Sequence, residues 1–236
     1  AVLNGDDDKL ATIHEVQGRP PVFFGLNPVY PVYADEIESC GLKGTKCRIH
    51  LPGAEFTVQI PMPGRHMVYN SLAAAAVGVL YGLTPEQIRR GIESLEPISG
   101  RFRMVETQKY LIVDDCYNAN PVSMKASLDI LRDALGRKVA VLGDMGELGA
   151  DERQMHEEVG KYAAGCGLDL LICAGSLCEF MAKAARRANP HLPVIYEPDR
   201  RALLEHLHSY LQEGDTVLVK ASHFMHFEEI VEELQK

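Results

Sequence analysis

The sequence has no excess of positive charge and no basic cluster longer than a pair. Its 24 Lys and Arg residues are outnumbered by 33 Asp and Glu residues, which gives a formal net charge of −9 at pH 7. Proteins that bind nucleic acids usually present a basic patch to the phosphate backbone. The composition therefore argues against a nucleic acid as the partner.

Long hydrophobic runs are also lacking. The longest apolar stretch, residues 72–83, is rich in alanine, contains two glycines and is shorter than the roughly 20 residues that cross a bilayer. No basic segment followed by an apolar one opens the chain, so no secretory signal is expected. We expect no membrane role.

Cysteine and histidine show none of the spacings of metal sites or disulfide frameworks. The six cysteines include no Cys-x-x-Cys pair, and most lie in apolar or helical surroundings typical of reduced, buried thiols. We therefore expect a cytoplasmic protein. Seven histidines are interpreted as surface or structural residues and not as metal ligands: His14, His50, His156, His191, His206, His208 and His226.

Several enzyme motifs are missing as well. The sequence contains no GxxxxGK[ST] phosphate loop, no GxGxxG after a strand, no HExxH and no nucleophile elbow. As given, the chain cannot hold a triphosphate in the usual way.

The most informative stretch that is present covers residues 111–124. A buried-type strand leads into a polar loop and then into a helix, for which Asn120 is the predicted N-cap and Pro121 the first residue. The free N–H groups of such a helix favour an anion. The alternative is a well-capped surface turn. The loop carries Asp114, Asp115, Tyr117 and Asn118.

The pattern of predicted strands and helices changes at residues 96–100, and we place a domain boundary between residues 97 and 98. Before it, extended runs at 22–24, 46–51 and 55–60 predict a hairpin or meander. Helices follow at about 67–81 and 85–95, the second with a capping box formed by Thr84 and Gln87. Because residues 1–4 read like the middle of a strand, we expect a fragment of a longer protein.

After the boundary, apolar runs alternate regularly with helical segments. This alternation predicts an α/β domain with a doubly wound, mainly parallel (Rossmann-like) sheet. An extra run at 102–106 should pair antiparallel with the first strand. The predicted strands are 110–113, 138–142, 168–173, 194–196 and 216–219, and the predicted helices are 121–135, 151–166, 176–188, 200–212 and 225–234.

In such a sheet, ligands bind at the carboxyl ends of the strands. Carboxylates and potential cations follow these ends, a combination that suits the positioning of a charged substrate against phosphate. The alternative for Asp144 and Ser176 is that they only cap the helices that follow them. The residues at the ends are Asp114, Asp115, Asp144, Ser176, Lys220 and His223.

Six motifs, in order along the chain, resemble those of the Mur ligase family. They are residues 4–7 (Asn-Gly-Asp-Asp), 64–70, 100–101 (Gly-Arg), 114–121, 142–149 and 219–228. The fourth, Asp-Asp-Cys-Tyr-Asn-Ala-Asn-Pro, is most similar to the branch that adds D-alanyl-D-alanine to a UDP-linked muramoyl tripeptide. The resemblance implies that residues 1–97 are the C-terminal part of a central ATP-binding α/β domain. Residues 98–236 would be the C-terminal ligase domain, which binds the amino component.

The resemblance also implies an activity, an ATP-dependent amide ligation in the synthesis of peptidoglycan precursors. ATP would phosphorylate the terminal carboxylate of a UDP-N-acetylmuramoyl tripeptide, and the amine of D-Ala-D-Ala would attack the acyl phosphate. ATP and Mg²⁺ would be held mainly by a part of the enzyme that this sequence lacks. We therefore expect no ligase activity from the chain alone, and self-association through its truncated central sheet.

The same resemblance assigns roles by motif position. The catalytic residues would be Arg101, Asp115 and Lys220, with Arg101 reaching from the hinge to the ATP phosphates. Nucleotide-binding residues would be His66, Asn70, Arg101, Asp115 and Asn118. Substrate-binding residues would be Asn118, Asn120, Asp144, Ser222 and His223.

Three residues depart from the family pattern. Met67 stands in place of an Asn that can bind adenine, His223 in place of the usual Arg, and Cys116 in place of Ser. A histidine makes the charge at position 223 dependent on pH. We do not interpret Cys116 as a nucleophile, because the motif places no histidine near it.

Two alternatives remain open at this point. One is another amide ligase, of the folylpolyglutamate synthase or cyanophycin type, against which the Tyr-Asn-Ala-Asn-Pro string argues. The other is a non-catalytic module that binds a nucleotide or a dipeptide, which the missing phosphate loop keeps open.

Overall fold

The computed structural model describes residues 1–98 and 100–236, and the chain divides into two compact units, Ala1–Glu96 and Pro97–Lys236. The boundary expected from the sequence lies one residue from this division. Ser99, part of the predicted boundary segment, lies outside the described residues. The expected α/β class is confirmed, with one sheet in each unit.

The sheet of the first unit has five strands in sequence order: β1 (Val2–Asn4), β2 (Val22–Gly25), β3 (Val32–Ser39), β4 (Thr45–Leu51) and β5 (Ala54–Ile60). Strands β1 to β3 run parallel, and β3, β4 and β5 pair antiparallel. The predicted hairpin is confirmed as β4–β5. Strand β3 was not predicted, because its three acidic residues are of types depleted from strands and its ladder is interrupted between Asp35 and Glu38.

Two helices complete this unit, α1 (Arg65–Leu80) and α2 (Pro85–Glu93). Helix α1 buries Val68, Leu72 and Ala76 in the core beneath the sheet. The capping box of α2 is confirmed: the Gln87 N–H donates to the Thr84 hydroxyl over 3.3 Å, and the Thr84 N–H donates to the Gln87 side chain over 2.8 Å. Short 3-10 turns cover Leu10–Thr12 and Gly41–Lys43.

The second unit contains a six-stranded sheet, in the order β10-β9-β8-β11-β7-β6. All neighbouring strands are parallel except β6, which pairs antiparallel with β7. The doubly wound, mainly parallel sheet and its antiparallel edge strand are thus confirmed. The strands are β6 (Arg103–Glu106), β7 (Leu111–Asp114), β8 (Lys138–Gly143), β9 (Leu170–Ala174), β10 (Val194–Glu197) and β11 (Thr216–Lys220).

Helices cover both faces of this sheet: α3 (Pro121–Arg132), α4 (Glu152–Ala163), α5 (Cys178–Ala188), α6 (Arg200–Tyr210) and α7 (Glu228–Leu234). Helix α7 begins three residues later than predicted, because His223–Met225 form a 3-10 turn and His226 takes a left-handed backbone conformation. Helices α4 and α5 pack closely at Gly160, where a Cβ atom would lie 2.1 Å from the Met181 carbonyl oxygen.

All six cysteines are free thiols, and five of them are buried. The expected burial of most cysteines is thus confirmed. Burial raises the pKa of Cys47 and of Cys166 to about 11. Within the described ranges, 1–98 and 100–236, the structure contains no helix of the length and apolarity needed to span a bilayer.

Candidate functional site

The carboxyl ends of β7, β8 and β11 meet at one edge of the second sheet. The register places Val219 beside Asp114 and Lys220 beside Leu142, so the three following loops start side by side. These loops carry most of the residues that the sequence predicts for the site of the second unit. The parallel topology therefore brings together residues from distant parts of the chain.

A buried ion pair joins two of these loops. The Lys220 ammonium lies 2.6 Å from a carboxylate oxygen of Asp115 and donates to the Asn118 carbonyl over 3.0 Å. The side chains are only 3% and 15% exposed. The same Asp115 oxygen accepts from the Ser127 hydroxyl, and its other oxygen accepts from the Phe102 N–H. Because both oxygens are engaged within the protein, the geometry favours a positioning role for Asp115 and Lys220.

The segment before β6 is held against the loop after β7. The Gly100 N–H donates to Asp114 over 3.0 Å, and the Gly100 carbonyl accepts from the Tyr117 N–H over 2.9 Å. Phe102 is buried with a left-handed φ of 53°, an uncommon conformation for a bulky residue. These contacts leave Arg101 exposed, with its guanidinium 4.2 Å from the centre of the Tyr117 ring.

Beside Tyr117 lies an open groove of about 320 Å³, which we call the edge groove. Ser222 connects its three loops. Its hydroxyl accepts from the Gly146 N–H over 2.8 Å and donates to the Ala119 carbonyl over 3.3 Å, while its own N–H donates to the Asp144 carbonyl. The groove is lined by Tyr117, Asn118, Gly146, Glu147, Ser222, His223 and Phe224.

Two exposed groups of opposite potential charge line the edge groove, His223 and Glu147. The His223 ring meets the edge of the Tyr117 ring with centroids 5.6 Å apart, and lies 6.1 Å from the His226 ring. His226 in turn lies 3.0 Å from the Glu228 carboxylate. An imidazolium and a carboxylate in one groove suit a ligand that carries both charges.

Asp144 does not line the edge groove. One of its oxygens accepts from the Cys178 N–H over 2.7 Å, and the other from the Leu177 N–H and the Ser176 hydroxyl. Gly175 permits this approach, because a Cβ atom there would lie 2.5 Å from the carboxylate. Asp144 thus holds the start of α5, whereas the alternative was that it caps the helix that follows it, α4. Ser176 donates to Asp144 and does not cap α5.

The asparagines of the β7 loop have different roles. Asn120 is the N-cap of α3, as predicted, since its side chain accepts from the Ser123 N–H over 2.8 Å. Asn118 is exposed in the edge groove, and its side-chain oxygen accepts from the Ala119 N–H. Cys116 is buried and donates to Asp114, and burial raises its pKa, as suits a thiol that is no nucleophile.

The predicted adenine residues belong to the first unit. His66 and Asn70 are exposed on the first turns of α1. The Asn70 amide lies 3.5 Å from the sulfur of Met67, which is buried. The α1 start therefore presents two polar side chains next to an apolar one.

Magnesium prefers oxygen ligands that are free to coordinate it. Asp115 and Asp144 accept hydrogen bonds from the protein at both oxygens. The buried Lys220 ammonium beside Asp115 would also repel a magnesium ion, and three donors at the start of α5 surround Asp144, so neither carboxylate fits a magnesium site.

Glu147 and Phe224 line the edge groove, although the sequence pattern does not indicate them as site residues. The sequence feature that could have identified them is their position, since each lies four residues after the last residue of a central parallel strand. Tyr117 lies in the predicted loop, but its contact with Arg101 depends on the fold and not on sequence spacing.

Comparison with known proteins agrees with this architecture. The Mur ligase glutamate ligase domain matches residues 100–223, and the Mur ligase middle domain matches residues 1–78. The UDP-N-acetylmuramoyl-tripeptide–D-alanyl-D-alanine ligase of Escherichia coli K12 is 31% identical over 240 residues, which cover 100% of this chain and 52% of that ligase.

Two solved structures resemble the whole chain. MurF from Acinetobacter baumannii has a TM-score of 0.87 at 29% identity, and the alignment covers 99% of this chain and 51% of that one. MurF ligase from Thermotoga maritima, in complex with ADP, has a TM-score of 0.80 at 27% identity and coverages of 99% and 52%. The chain thus spans about half the length of the relatives that it matches. It belongs to the Mur ligase family.

Proposed function

We propose that this chain is part of an ATP-dependent ligase that joins D-alanyl-D-alanine to a UDP-N-acetylmuramoyl tripeptide. The observation that carries the proposal is the edge groove, which lies in the part of the chain that matches the ligase domain. The names of the similar ligases from E. coli and A. baumannii, which both include D-alanyl-D-alanine or D-alanyl-D-alanyl, support the choice of amino component. The cytoplasm is the expected setting, since the six free thiols suit a reducing compartment.

The edge groove suits a dipeptide because a dipeptide carries a carboxylate at one end and an amine at the other. Protonated His223 would bind the carboxylate, and Asn118 would offer an amide for hydrogen bonding. Glu147 would attract the ammonium form of the amine. Because the neutral amine is the nucleophile, the ammonium would first give its proton to the Glu147 carboxylate or to water. Holding the amine in place then supplies part of the rate gain.

Arg101 is proposed to stabilise negative charge during the ligation. Its guanidinium is exposed and held over the Tyr117 ring, and the planar fork of an arginine binds phosphate oxygens in pairs. Asp115 and Lys220 would act through this segment, because Asp115 accepts the Phe102 N–H next to Arg101.

We propose that the following residues contact the nucleotide: His66, Asn70, Arg101, Asp115 and Asn118. ATP would supply the acyl phosphate. Because the sequence has no GxxxxGK[ST] loop, we expect the 236-residue chain alone to neither hydrolyse ATP nor form product. We further propose that exposed apolar residues of α1 allow weak self-association.

The proposal is tested by titrating the isotope-labelled chain with D-Ala-D-Ala while recording amide resonances. We expect shifts confined to the loops of the edge groove, weaker shifts with L-Ala-L-Ala, and a loss of affinity in His223→Ala. His191→Ala, which removes an exposed histidine outside the groove, is the matched control. Shifts that are absent, or that lie elsewhere in the chain, would refute the assignment.

A further inference from the structure

Three buried side chains behind the edge groove form a cluster that resembles a metal site. Asp144, His156 and Cys178 each place one potential ligand atom within 4.8 Å of the others, and His156 is fully buried. Sequence spacing does not reveal this cluster, because the three residues come from the β8 loop, from α4 and from α5. The cluster could serve a metal only if its lone pairs were free.

The hydrogen bonds show that they are not. The His156 Nε2 atom accepts from the Met145 N–H over 2.9 Å, and Nδ1 lies 2.7 Å from the Glu152 carbonyl oxygen. A neutral imidazole has one acceptor and one donor, so this pattern requires the Nδ1–H tautomer and uses both nitrogens.

The other two members of the cluster are also engaged. Asp144 accepts at both oxygens from the start of α5. The Cys178 thiol lies 3.5 Å from the Leu142 carbonyl, and burial raises its pKa well above the usual value, which keeps the proton on sulfur. The cluster therefore binds main-chain groups in place of a metal.

His156 acts on the loop that forms one wall of the edge groove. Asp144 ties the beginning of this loop to α5, and Ser222 accepts the Gly146 N–H on the groove side. Between them, the N–H of fully buried Met145 donates to His156. Without an acceptor there, a buried donor would lose its partner, and the adjacent Gly146 and Glu147 would lose their fixed position.

We propose that His156 is a positioning residue for the edge groove. Its Nε2 atom accepts the Met145 N–H and holds this amide in place. The position of Gly146 and Glu147, which contact the incoming ligand, is thereby fixed. The nature of that ligand, a dipeptide, rests on the proposed function, whereas the link between His156 and the groove wall does not.

Two variants of the 236-residue protein separate the acceptor from the bulk of the side chain. In His156→Gln, the side-chain oxygen reaches the place of Nε2 and can accept the Met145 N–H. In His156→Asn, the shorter amide reaches only the place of Nδ1. Hydrogen exchange at the Met145 amide and the affinity for D-Ala-D-Ala are measured in both.

We expect His156→Asn to speed exchange of the Met145 amide by about tenfold or more, which matches the loss of one buried hydrogen bond. His156→Gln should restore slow exchange. The affinity for the dipeptide should fall in His156→Asn and recover in His156→Gln. Equal exchange in the two variants would overturn the proposal. If the wild-type chain bound no dipeptide while exchange behaved as expected, the proposed function would fail and the role of His156 would stand.

The wild-type protein provides a test that needs no folded variant. Long-range proton–nitrogen correlation of the His156 ring should show the proton on Nδ1, and added Zn²⁺ should leave this pattern unchanged. A proton on Nε2, or a zinc-dependent change at this ring, would contradict the proposal.

Discussion

The ammonium group of Lys220, at the end of β11, lies 2.6 Å from the carboxylate of Asp115, in the loop after β7. The pair is buried at the carboxyl ends of the strands, and the second Asp115 oxygen accepts a hydrogen bond from the Phe102 N–H. Through these two contacts, the last strand of the sheet is connected to the segment that presents Arg101. The ion pair therefore organises the site without facing the edge groove itself.

Removing Lys220 should be costly. Lys220→Met leaves Asp115 with a buried charge and without its cation, and breaking a buried pair in this way costs about 3–5 kcal/mol. Urea unfolding of the chain measures this loss. Lys183→Met is the matched control, because it breaks an exposed pair with Glu179 and should cost less than about 1 kcal/mol. Equal losses in the two variants would contradict the buried ion pair.

Two substitutions of Asn120 can separate its role as the N-cap of α3 from its predicted role in substrate binding. Asn120→Ala should destabilise the protein by about 1 kcal/mol, because α3 loses its N-cap. Asn120→Ser keeps a capping oxygen and should cost only a few tenths of that amount. If Asn120 also binds ligand, the serine variant should be stable but weaker in dipeptide affinity. Unchanged affinity would leave Asn120 as a cap alone.

Two tyrosines should make the protein less stable in alkali. Hydrogen bonds to Asp129 and Glu197 raise the pKa of Tyr162 and Tyr210 to about 12, from an ordinary value of 10.0. Between these values the unfolded chain loses protons that the folded chain keeps, so the free energy of unfolding falls as pH rises. Tyr162→Phe with Tyr210→Phe should flatten this fall. Urea unfolding across the range measures it, and an unchanged slope would refute the assignment.

The outer face of α1 should support weak association between copies of the chain. Leu80 is 56% exposed and Tyr81 is 84% exposed, next to an apolar surface groove of the same unit. Sedimentation velocity should show an average mass that rises with protein concentration, and Leu80→Lys should reduce this rise. Leu135 of the second unit is 89% exposed, and the control variant Leu135→Lys should leave the rise unchanged. A monomer at all concentrations would count against this face.

The order of elements in the second unit could be predicted because its central strands β8, β9 and β11 are almost wholly buried and read as continuous apolar runs. The caps at Thr84 and Asn120 were equally visible, since capping depends on residues three positions apart. Strand β3 escaped prediction because its exposed acidic residues hide the strand pattern.

The candidate site could be predicted only to the level of loops. Strand ends identify Asp144 and Lys220 as neighbours of the site, but they do not tell which way a side chain turns. The approach of Asp144 to α5 depends on Gly175, thirty-one positions away in the chain. The partner of His156 is likewise a main-chain N–H, which no residue type reveals.

The most direct measurement replaces the matching 52% of the E. coli ligase with this chain and assays the chimera. With ATP, Mg²⁺ and the UDP-linked tripeptide, we expect phosphate release and a pentapeptide product that both require D-Ala-D-Ala. Arg101→Ala in the same chimera should abolish product. A folded chimera that binds ATP and the UDP-linked tripeptide, yet forms no product with D-Ala-D-Ala, would contradict the proposed function.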